Sequence, residues 1–280
     1  MSYLKTDKSK ENQKVAAFTG EGAYHGSTKS KDTPFVPEQV VAEMMPHSLN
    51  WYETHQSTVF YNFTAKFPNL YDVKKILKPP TQEELKNEDV TFVWCPFEQA
   101  KKEAAPITKS VLEEMEKHLE HKKKFIYIDS KVQYFEEGDL AVDSNLWHVD
   151  GTIAIRNKLG HSILHDMYAR FMRLAEPPKY MAYQSSTHCA TQFVTNPITI
   201  NIPDCMSNFV PLDRAVKTQN LVIESQPAGS IVSFDGFSLH RAVPASSDGW
   251  RLWIRCIETD REVKLDSSII SCYQTIYRTQ

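Results

Sequence analysis

The sequence predicts a mainly β fold with flanking helices, of the sandwich or jelly-roll type. From residue 125 onward, short runs rich in β-branched and aromatic residues follow one another, and turns containing Gly, Pro or Asp separate them. Strands at this spacing are typical of antiparallel sandwiches and jelly rolls, whereas βαβ units need long crossovers. The predicted strands are 125–135, 146–155, 179–185, 191–202, 208–211, 220–225, 229–235 and 250–258.

Helices and further strands are predicted around these runs. Residues 107–121 follow Pro106 and carry apolar side chains at helical spacing, which indicates an amphipathic helix that packs on the core. The same spacing predicts a helix over 161–174. The β-rich run 90–94 predicts a strand before the first helix, and 268–277 predicts an outer strand near the end of the chain.

The 280 residues suit one large domain, or one domain with an appendage. Residues 1–35 are rich in Lys, Ser, Thr and Gly and contain few large apolar residues, which predicts a flexible tail. We expect residues 36–280 to form a single domain. Within it, helices and strands of residues 36–124 support a β core formed by residues 125–258.

The composition predicts a soluble, cytoplasmic protein. Hydrophobic residues make up 41% and charged residues 24% of the chain, and the net charge is -3. No global basic field therefore draws the protein to nucleic acid or anionic membranes. The five cysteines contain no CxxC pair, which disfavours a disulfide framework and a structural zinc site. No apolar run is long enough for a signal peptide or a membrane span, and the oligomeric state stays open.

The motif His148-Val149-Asp150 places two metal-ligand types at positions i and i+2. On a strand these side chains point to the same face, so His148 and Asp150 are able to bind one metal ion together. A third ligand is available at His240, which follows the apolar run 229–235 and a turn. Two imidazoles and one carboxylate form the facial triad of non-heme Fe(II) oxygenases, although zinc binds the same ligand types.

Two arginines follow His240 on the next predicted strand. Arg251 lies among tryptophan and leucine side chains, which predicts that it is buried, and Arg255 shares its face of the strand. A buried cation is costly unless an anion pairs with it. An arginine fork binds a carboxylate through two hydrogen bonds, and the distal carboxylate of 2-oxoglutarate is a natural partner. This pairing favours iron over zinc at the triad.

Together these motifs resemble the Fe(II)- and 2-oxoglutarate-dependent oxygenase superfamily in its double-stranded β-helix, cupin-like form. His148, Asp150, His240 and Arg251 match its HxD, distal His and Arg in order and spacing. The resemblance covers residues 125–258 and implies Fe(II), 2-oxoglutarate as co-substrate and O2. It implies hydroxylation of an unactivated C–H bond with release of succinate and CO2. Because the superfamily's halogenases lack the carboxylate ligand, Asp150 favours hydroxylation or a related oxidation.

Two further positions resemble one branch of the superfamily. Arg255 matches a second arginine of the taurine dioxygenase-like branch. Thr191, in the run Ala190-Thr191-Gln192, resembles a threonine that contacts 2-oxoglutarate in that branch. Considered alone, Arg255 also suits a pair with Glu258, and Thr191 suits an ordinary strand position. The resemblance does not separate this branch from the phytanoyl-CoA hydroxylase-like one.

Trp147, Tyr134 and Arg241 are candidates for the cavity wall or for substrate contacts, although both aromatic residues also suit core packing. A small molecule is the favoured substrate. A nucleobase, in a groove lined by Lys122–Lys124 and Arg156, or a protein side chain would undergo the same chemistry. The remaining alternative is a cupin-like barrel that binds a metal ion without turnover.

Overall fold

The computed structural model describes residues 62–88, 91–142, 145–150, 177–203, 209–260, 262 and 277–278. The strands in these parts are β1 (Asn62–Phe67), β2 (Tyr71–Ile76), β3 (Phe92–Pro96), β4 (Phe125–Phe135), β5 (Asp139–Leu140), β6 (Lys179–Gln184), β7 (Thr191–Val194), β8 (Ile198–Pro203), β9 (Ile223–Ser225), β10 (Ser230–Asp235), β11 (His240–Ala242), β12 (Gly249–Thr259) and β13 (Tyr277–Arg278). The helices are α1 (Gln82–Leu85), α2 (Phe97–Glu103), α3 (Pro106–Glu116) and α4 (Val210–Lys217). These strands pair antiparallel, and the predicted mainly β fold with flanking helices is confirmed.

A six-stranded sheet in the order β2-β10-β6-β12-β4-β3 is the largest unit of the fold. Its longest strands, β4 and β12, pair along their whole length, from Phe125 opposite Thr259 to Phe135 opposite Gly249. β12 also pairs with β6, so it lies in the middle of the sheet. β2 and β3 come from the region that precedes the predicted β core, and this region therefore adds strands to the same sheet.

One face of this sheet packs against helices that precede it in the chain. Ile128 on β4 and Leu252 and Ile254 on β12 occupy alternate positions, point to this face and are fully buried. α3 covers them with its own buried apolar side chains, among them Leu112. Pro106 lies in the first turn of α3, where its missing N–H is not needed. This covered face is an ordinary apolar core.

A three-stranded sheet in the order β11-β7-β9 lies against the other face of the large sheet. We call this the inner face, and it is opposite the face that α3 covers. Phe193 of β7 packs against Phe234 of β10, with ring centroids 5.1 Å apart, and against Tyr71 of β2 at 4.7 Å. The β1–β8 pair belongs to a separate core cluster that contains Val194 and Trp147. Two antiparallel sheets that pack in this way are compatible with the predicted jelly roll.

Predicted and observed elements agree best for the long strands. The predicted strand 125–135 coincides with β4, and the predicted strand 250–258 lies within β12. The predicted helix 107–121 corresponds to the shorter α3. The predicted strand 191–202 is divided into β7 and β8. The division occurs at Pro197, which lacks the N–H that a continuous strand would donate.

The predicted strand 208–211 is wrong, because helix α4 begins at Val210. Pro211 lies in the first turn of this helix, where proline is favoured. A short apolar run does not distinguish a strand from a helix by its periodicity. The flanking proline was therefore the better indicator of the element.

Several predictions lie outside the described residues. These are the tail 1–35, the helix 161–174, the second half of the strand 146–155 and most of the run 268–277, of which Tyr277 belongs to β13. Among the helices that the structure describes, none is both long and apolar enough to cross a membrane.

Candidate metal centre

Three predicted metal ligands meet inside the protein. One ligand atom each from His148, Asp150 and His240 lies within 4.8 Å of the others. The backbones of the two histidines hold them together, since each N–H donates to the carbonyl of the other at 3.0 Å. Their ring centroids are 4.4 Å apart. A single antiparallel bridge therefore brings together ligands from distant parts of the chain.

Hydrogen bonds to the backbone orient both imidazoles. Nδ1 of His148 lies 2.8 Å from the carbonyl of Leu146, and Nδ1 of His240 lies 2.9 Å from the carbonyl of Ser238. A carbonyl only accepts, so Nδ1 is the donor in each of these hydrogen bonds, and Nε2 is the nitrogen of each ring that is left for a metal ion. Burial, followed by the neighbouring His240, lowers the pKa of His148 to about 4. The neutral, correctly oriented imidazole is the form that binds a metal ion.

The carboxylate ligand belongs to a buried chain of charges. Arg255 donates from Nη1 to Oδ2 of Asp150 and from Nη2 to Oδ2 of Asp129 at 2.8 Å. Burial alone would raise the pKa of Asp150, but Arg255 and then His240 outweigh it and hold that pKa far below its usual range. Asp150 is therefore ionised. The predicted contact of Arg255 with 2-oxoglutarate stays a prediction, since its partners in the structure are the two aspartates.

These donors fit a divalent first-row metal ion. Two imidazole nitrogens and one carboxylate oxygen form the facial triad of non-heme Fe(II) sites, and the same set also suits zinc. His148 and His240 have the backbone partners that metal-bound histidines usually have, and Asp150 has an arginine partner. Both the ligand types and their supporting hydrogen bonds are therefore consistent with an iron site.

Arg251 lies on the same face of β12 as Arg255 and is only 3% exposed. Its Nη2 reaches Oε1 of Gln184 at 3.4 Å, and its Nε has no hydrogen-bond partner among the described residues. Burial lowers the pKa of the Arg251 guanidinium. The same Gln184 oxygen accepts the backbone N–H of Thr191 at 3.2 Å. Gln184 therefore connects Arg251 to the predicted threonine.

Thr191 occupies the inner face of the small sheet. It lies two residues from Phe193, whose ring centroid is 5.6 Å from that of His240, and alternate residues of a strand share a face. The Thr191 side chain therefore lies on the side of β7 that faces the metal ligands. Its predicted contact with 2-oxoglutarate stays a prediction.

The Trp147 and Arg241 side chains do not face the metal ligands. Each neighbours a metal ligand in sequence, so its side chain points to the opposite face. The Arg241 guanidinium lies 4.6 Å from the centroid of the Trp147 ring and donates to Oε1 of Gln192 from Nε and Nη2 at 2.9 and 2.8 Å. Trp147 is buried in the core cluster behind the metal centre. Both residues support the bridge between the histidines from outside.

Tyr134 also lies away from the cavity. Its side chain is 41% exposed and forms an edge contact with Trp250, with ring centroids 5.5 Å apart. Its neighbour Gln133 pairs opposite Arg251 and belongs to the inner face. The structure thus places Tyr134 on the opposite face from Gln133 and Arg251, because one residue along a strand reverses the face.

The inner face also contains residues that the sequence did not nominate. Lys131 is buried, with its Nζ 5.7 Å from the centroid of the Trp253 ring. Tyr180 and Phe234 stack at 5.2 Å and contribute to the aromatic wall. The sequence signal for Lys131 was a period-2 polar stripe that also contains Asp129 in an otherwise apolar strand. Such a stripe ordinarily indicates a solvent-facing side.

No protein-family model matches the chain, and no curated protein sequence matches it. Among solved structures, similarity extends to AviO1 from Streptomyces viridochromogenes Tue57, at 11% identity over 84% of this chain and 90% of that chain, with a TM-score of 0.32. SnoK, a non-heme alpha-ketoglutarate-dependent carbocyclase from nogalamycin biosynthesis, is 11% identical over 81% and 77%, with a TM-score of 0.35. ThoJ, a non-heme monooxygenase solved as its nickel complex, is 13% identical over 47% and 43%, with a TM-score of 0.23. At these TM-scores the similarity establishes neither fold nor activity.

Proposed function

We propose that this protein is an Fe(II)- and 2-oxoglutarate-dependent oxygenase on a double-stranded β-helix. It hydroxylates an unactivated C–H bond, and a small molecule is the favoured substrate. The observation that supports this function is the coexistence of two features on the inner face. One is the convergent triad of His148, Asp150 and His240. The other is buried Arg251, which has an unpartnered donor among the described residues.

Each inner-face residue has a defined task in this proposal. When bound, Fe(II) with 2-oxoglutarate supplies O2 activation, with release of succinate and CO2. His148, Asp150 and His240 hold the metal ion, and Arg255 orients Asp150 through its ion pair. Arg251 binds the distal carboxylate of 2-oxoglutarate and so fixes the orientation of the co-substrate. The surrounding aromatic rings exclude water from the cavity.

Two observations disfavour the alternatives. A barrel that only binds a metal ion has no need of a buried arginine without a counter-ion, because such a cation lowers stability. A nucleic-acid groove along Lys122–Lys124 would need free cations. Instead, Lys122 pairs with Glu120 at 3.1 Å and Lys123 pairs with Asp260 at 3.0 Å. Arg156, the other cation of that groove, lies outside the described residues.

An anaerobic titration tests the proposed function. Fe(II) and then 2-oxoglutarate are added to metal-free protein, and the visible charge-transfer band of the chelate is recorded. We expect a band in the wild type, no band in His240→Ala, and a Kd for 2-oxoglutarate raised about 10- to 100-fold in Arg251→Ala, since a hydrogen-bonded charge pair is lost.

The matched control is Arg214→Ala, which removes an exposed arginine of α4 and should leave both the band and the Kd unchanged. A folded, metal-loaded wild type that gives no band with 2-oxoglutarate would overturn the proposal. A metal-binding barrel of another purpose would then be the better description.

A further inference from the structure

Two cations lie side by side on the inner face of the large sheet. Lys131 on β4 is 6% exposed and Arg251 on β12 is 3% exposed. In the register of these strands, Lys131 is opposite Trp253 and Arg251 is opposite Gln133. Lys131 and Arg251 are therefore diagonal neighbours, a relation that puts Cβ atoms within about 8 Å on one face of a sheet. Both long side chains are able to reach one common ligand.

Neither cation forms an ion pair with any residue that the structure describes. Nζ of Lys131 donates to the carbonyl of Ala141 at 2.8 Å, while Arg251 has the long contact with Gln184 and an unpartnered Nε. Asp129 shares this face, but its Oδ2 accepts from Arg255. Two adjacent buried cations repel each other and are costly without a counter-charge. The pair of cations is therefore suited to bind an anion.

The two cations lie on the same strands, and on the same face, as the charged residues that reach Asp150. Arg255, which contacts Asp150, is four residues from Arg251 along β12, and Asp129 is two residues from Lys131 along β4. At the rise of a strand, these separations correspond to about 7 to 13 Å. At such spacings, long cationic side chains are able to extend toward the far end of a five-carbon dicarboxylate that chelates the metal ion.

We propose that Lys131 is a second cationic binding residue for the distal carboxylate of 2-oxoglutarate, beside Arg251. This inference rests on the proposed function, because it concerns the co-substrate of that reaction. Two cations on one carboxylate make the site select strongly for 2-oxo acids with a distal negative charge. The competing explanation is that Lys131 serves only to tie β4 to the Ala141 carbonyl.

The charge of Lys131 responds to its surroundings. Burial, followed by repulsion from Arg251, lowers the pKa of Lys131 to about 7. The other charged or titratable groups that act on it are Arg255 on β12, Asp129 on β4 and Cys189 in the segment between β6 and β7. An incoming carboxylate favours the protonated lysine. Above about pH 7 co-substrate binding therefore takes up a proton, and the affinity for 2-oxoglutarate falls as the pH rises.

The test compares two ligands and three variants. Kd values for 2-oxoglutarate and for 2-oxopentanoate, which lacks the distal carboxylate, are measured by calorimetry on Zn(II)-loaded protein and by the anaerobic Fe(II) band. Lys131→Met should weaken 2-oxoglutarate binding about tenfold while leaving the 2-oxopentanoate Kd unchanged, so that the discrimination between the ligands falls. Lys131→Gln provides a second neutral side chain if the methionine variant does not fold. Lys66→Met, at an exposed lysine of β1, is the control and should change neither Kd.

Two further readouts separate binding from structural support. The wild-type Kd for 2-oxoglutarate should rise by up to about tenfold per unit above about pH 7, and this dependence should vanish in Lys131→Met but persist in Cys189→Ser. Metal-free Lys131→Met should unfold at the same or a higher temperature, because a buried, unpaired cation is removed.

The outcomes separate the inference from the proposed function. A wild type that binds 2-oxoglutarate, with a Lys131→Met variant that retains its affinity and its discrimination against 2-oxopentanoate, overturns the role of Lys131 alone. A well-folded, metal-loaded wild type that binds no 2-oxoglutarate overturns both the role of Lys131 and the oxygenase proposal.

Discussion

The two faces of the six-stranded sheet use the same strands for opposite purposes. On the covered face, β4 and β12 present Ile128 and Ile254 to α3, within a cluster of buried hydrophobic side chains. On the inner face, the alternate residues of these strands are charged, with Lys131, Arg251 and Arg255 buried or nearly so. A sheet one residue thick thus separates a stabilising core from a polar interior that lowers stability. Such a division is expected where an active site is buried.

The inner face itself has two parts that differ in the balance of their positive and negative charges. Near the metal ligands, Arg255 lies between Asp129 and Asp150, so each charge has a partner. Farther along the strands, Lys131 and Arg251 have no carboxylate partner among the described residues. In the proposed function, the balanced part orients Asp150 as a metal ligand. The unbalanced part would gain its counter-charge from 2-oxoglutarate, which would explain why its cost to stability is retained.

The largest expected effect comes from the covered face. Ile254→Ala removes a fully buried side chain that packs beneath α3 and should lower the free energy of unfolding by about 2 to 5 kcal/mol. The metal affinity of the folded fraction should stay within about twofold of the wild type, because the Ile254 side chain points to the covered face, away from Arg255 and Asp150. Urea unfolding and competition with a metal chelator measure the two quantities. A large change in metal affinity would mean that the two faces are not separable.

A substitution at Asp129 should lower the free energy of unfolding less than Ile254→Ala does, but it should lower the metal affinity more. Asp129→Asn removes a charge that balances Arg255 and should lower the free energy of unfolding by about 2 kcal/mol. Arg255 then depends on Asp150 alone, and the centre gains net positive charge. Affinity for Zn(II) or Fe(II) should therefore fall about tenfold, as measured by chelator competition.

The control for this prediction is Asp139→Asn. Asp139 is buried as well, but it accepts the N–H of Glu136 in a turn away from the metal ligands. Its variant should lose stability without any change in metal affinity. Equal losses of metal affinity in both variants would contradict a specific role for Asp129.

Sequence alone nominated the parts of the candidate site whose residue types are rare in a core. The triad and Arg251 were recognisable because histidines, a carboxylate and an arginine interrupt apolar strands at fixed spacing. The long strands β4 and β12 were recognisable from their β-branched and aromatic content. The helix at Val210 was missed because a short apolar run fits either type of element.

The remaining differences concern which side of a strand is inside. The sequence did not nominate Lys131 and Asp129, which in the structure are buried between the sheets. Tyr134 was nominated for the cavity, and its single-residue offset places it on the other face. Trp147 and Arg241 were nominated for their nearness in sequence to ligands, and that same adjacency turns them away. Pairing register, which a single sequence does not contain, decides all of these cases.

The smallest expected effect tests directly which residues of β4 face the inner side of the sheet. Tyr134→Ala removes a ring that is 41% exposed and touches Trp250 on the covered face, so the free energy of unfolding should fall by about 1 kcal/mol or less. The Kd for 2-oxoglutarate should not change. The matched variant is its neighbour, Gln133→Leu, which alters the inner face opposite Arg251 and should weaken 2-oxoglutarate binding. A greater loss of affinity in Tyr134→Ala than in Gln133→Leu would mean that the register of β4 is shifted by one residue, and Lys131 would then face α3 instead of the metal centre.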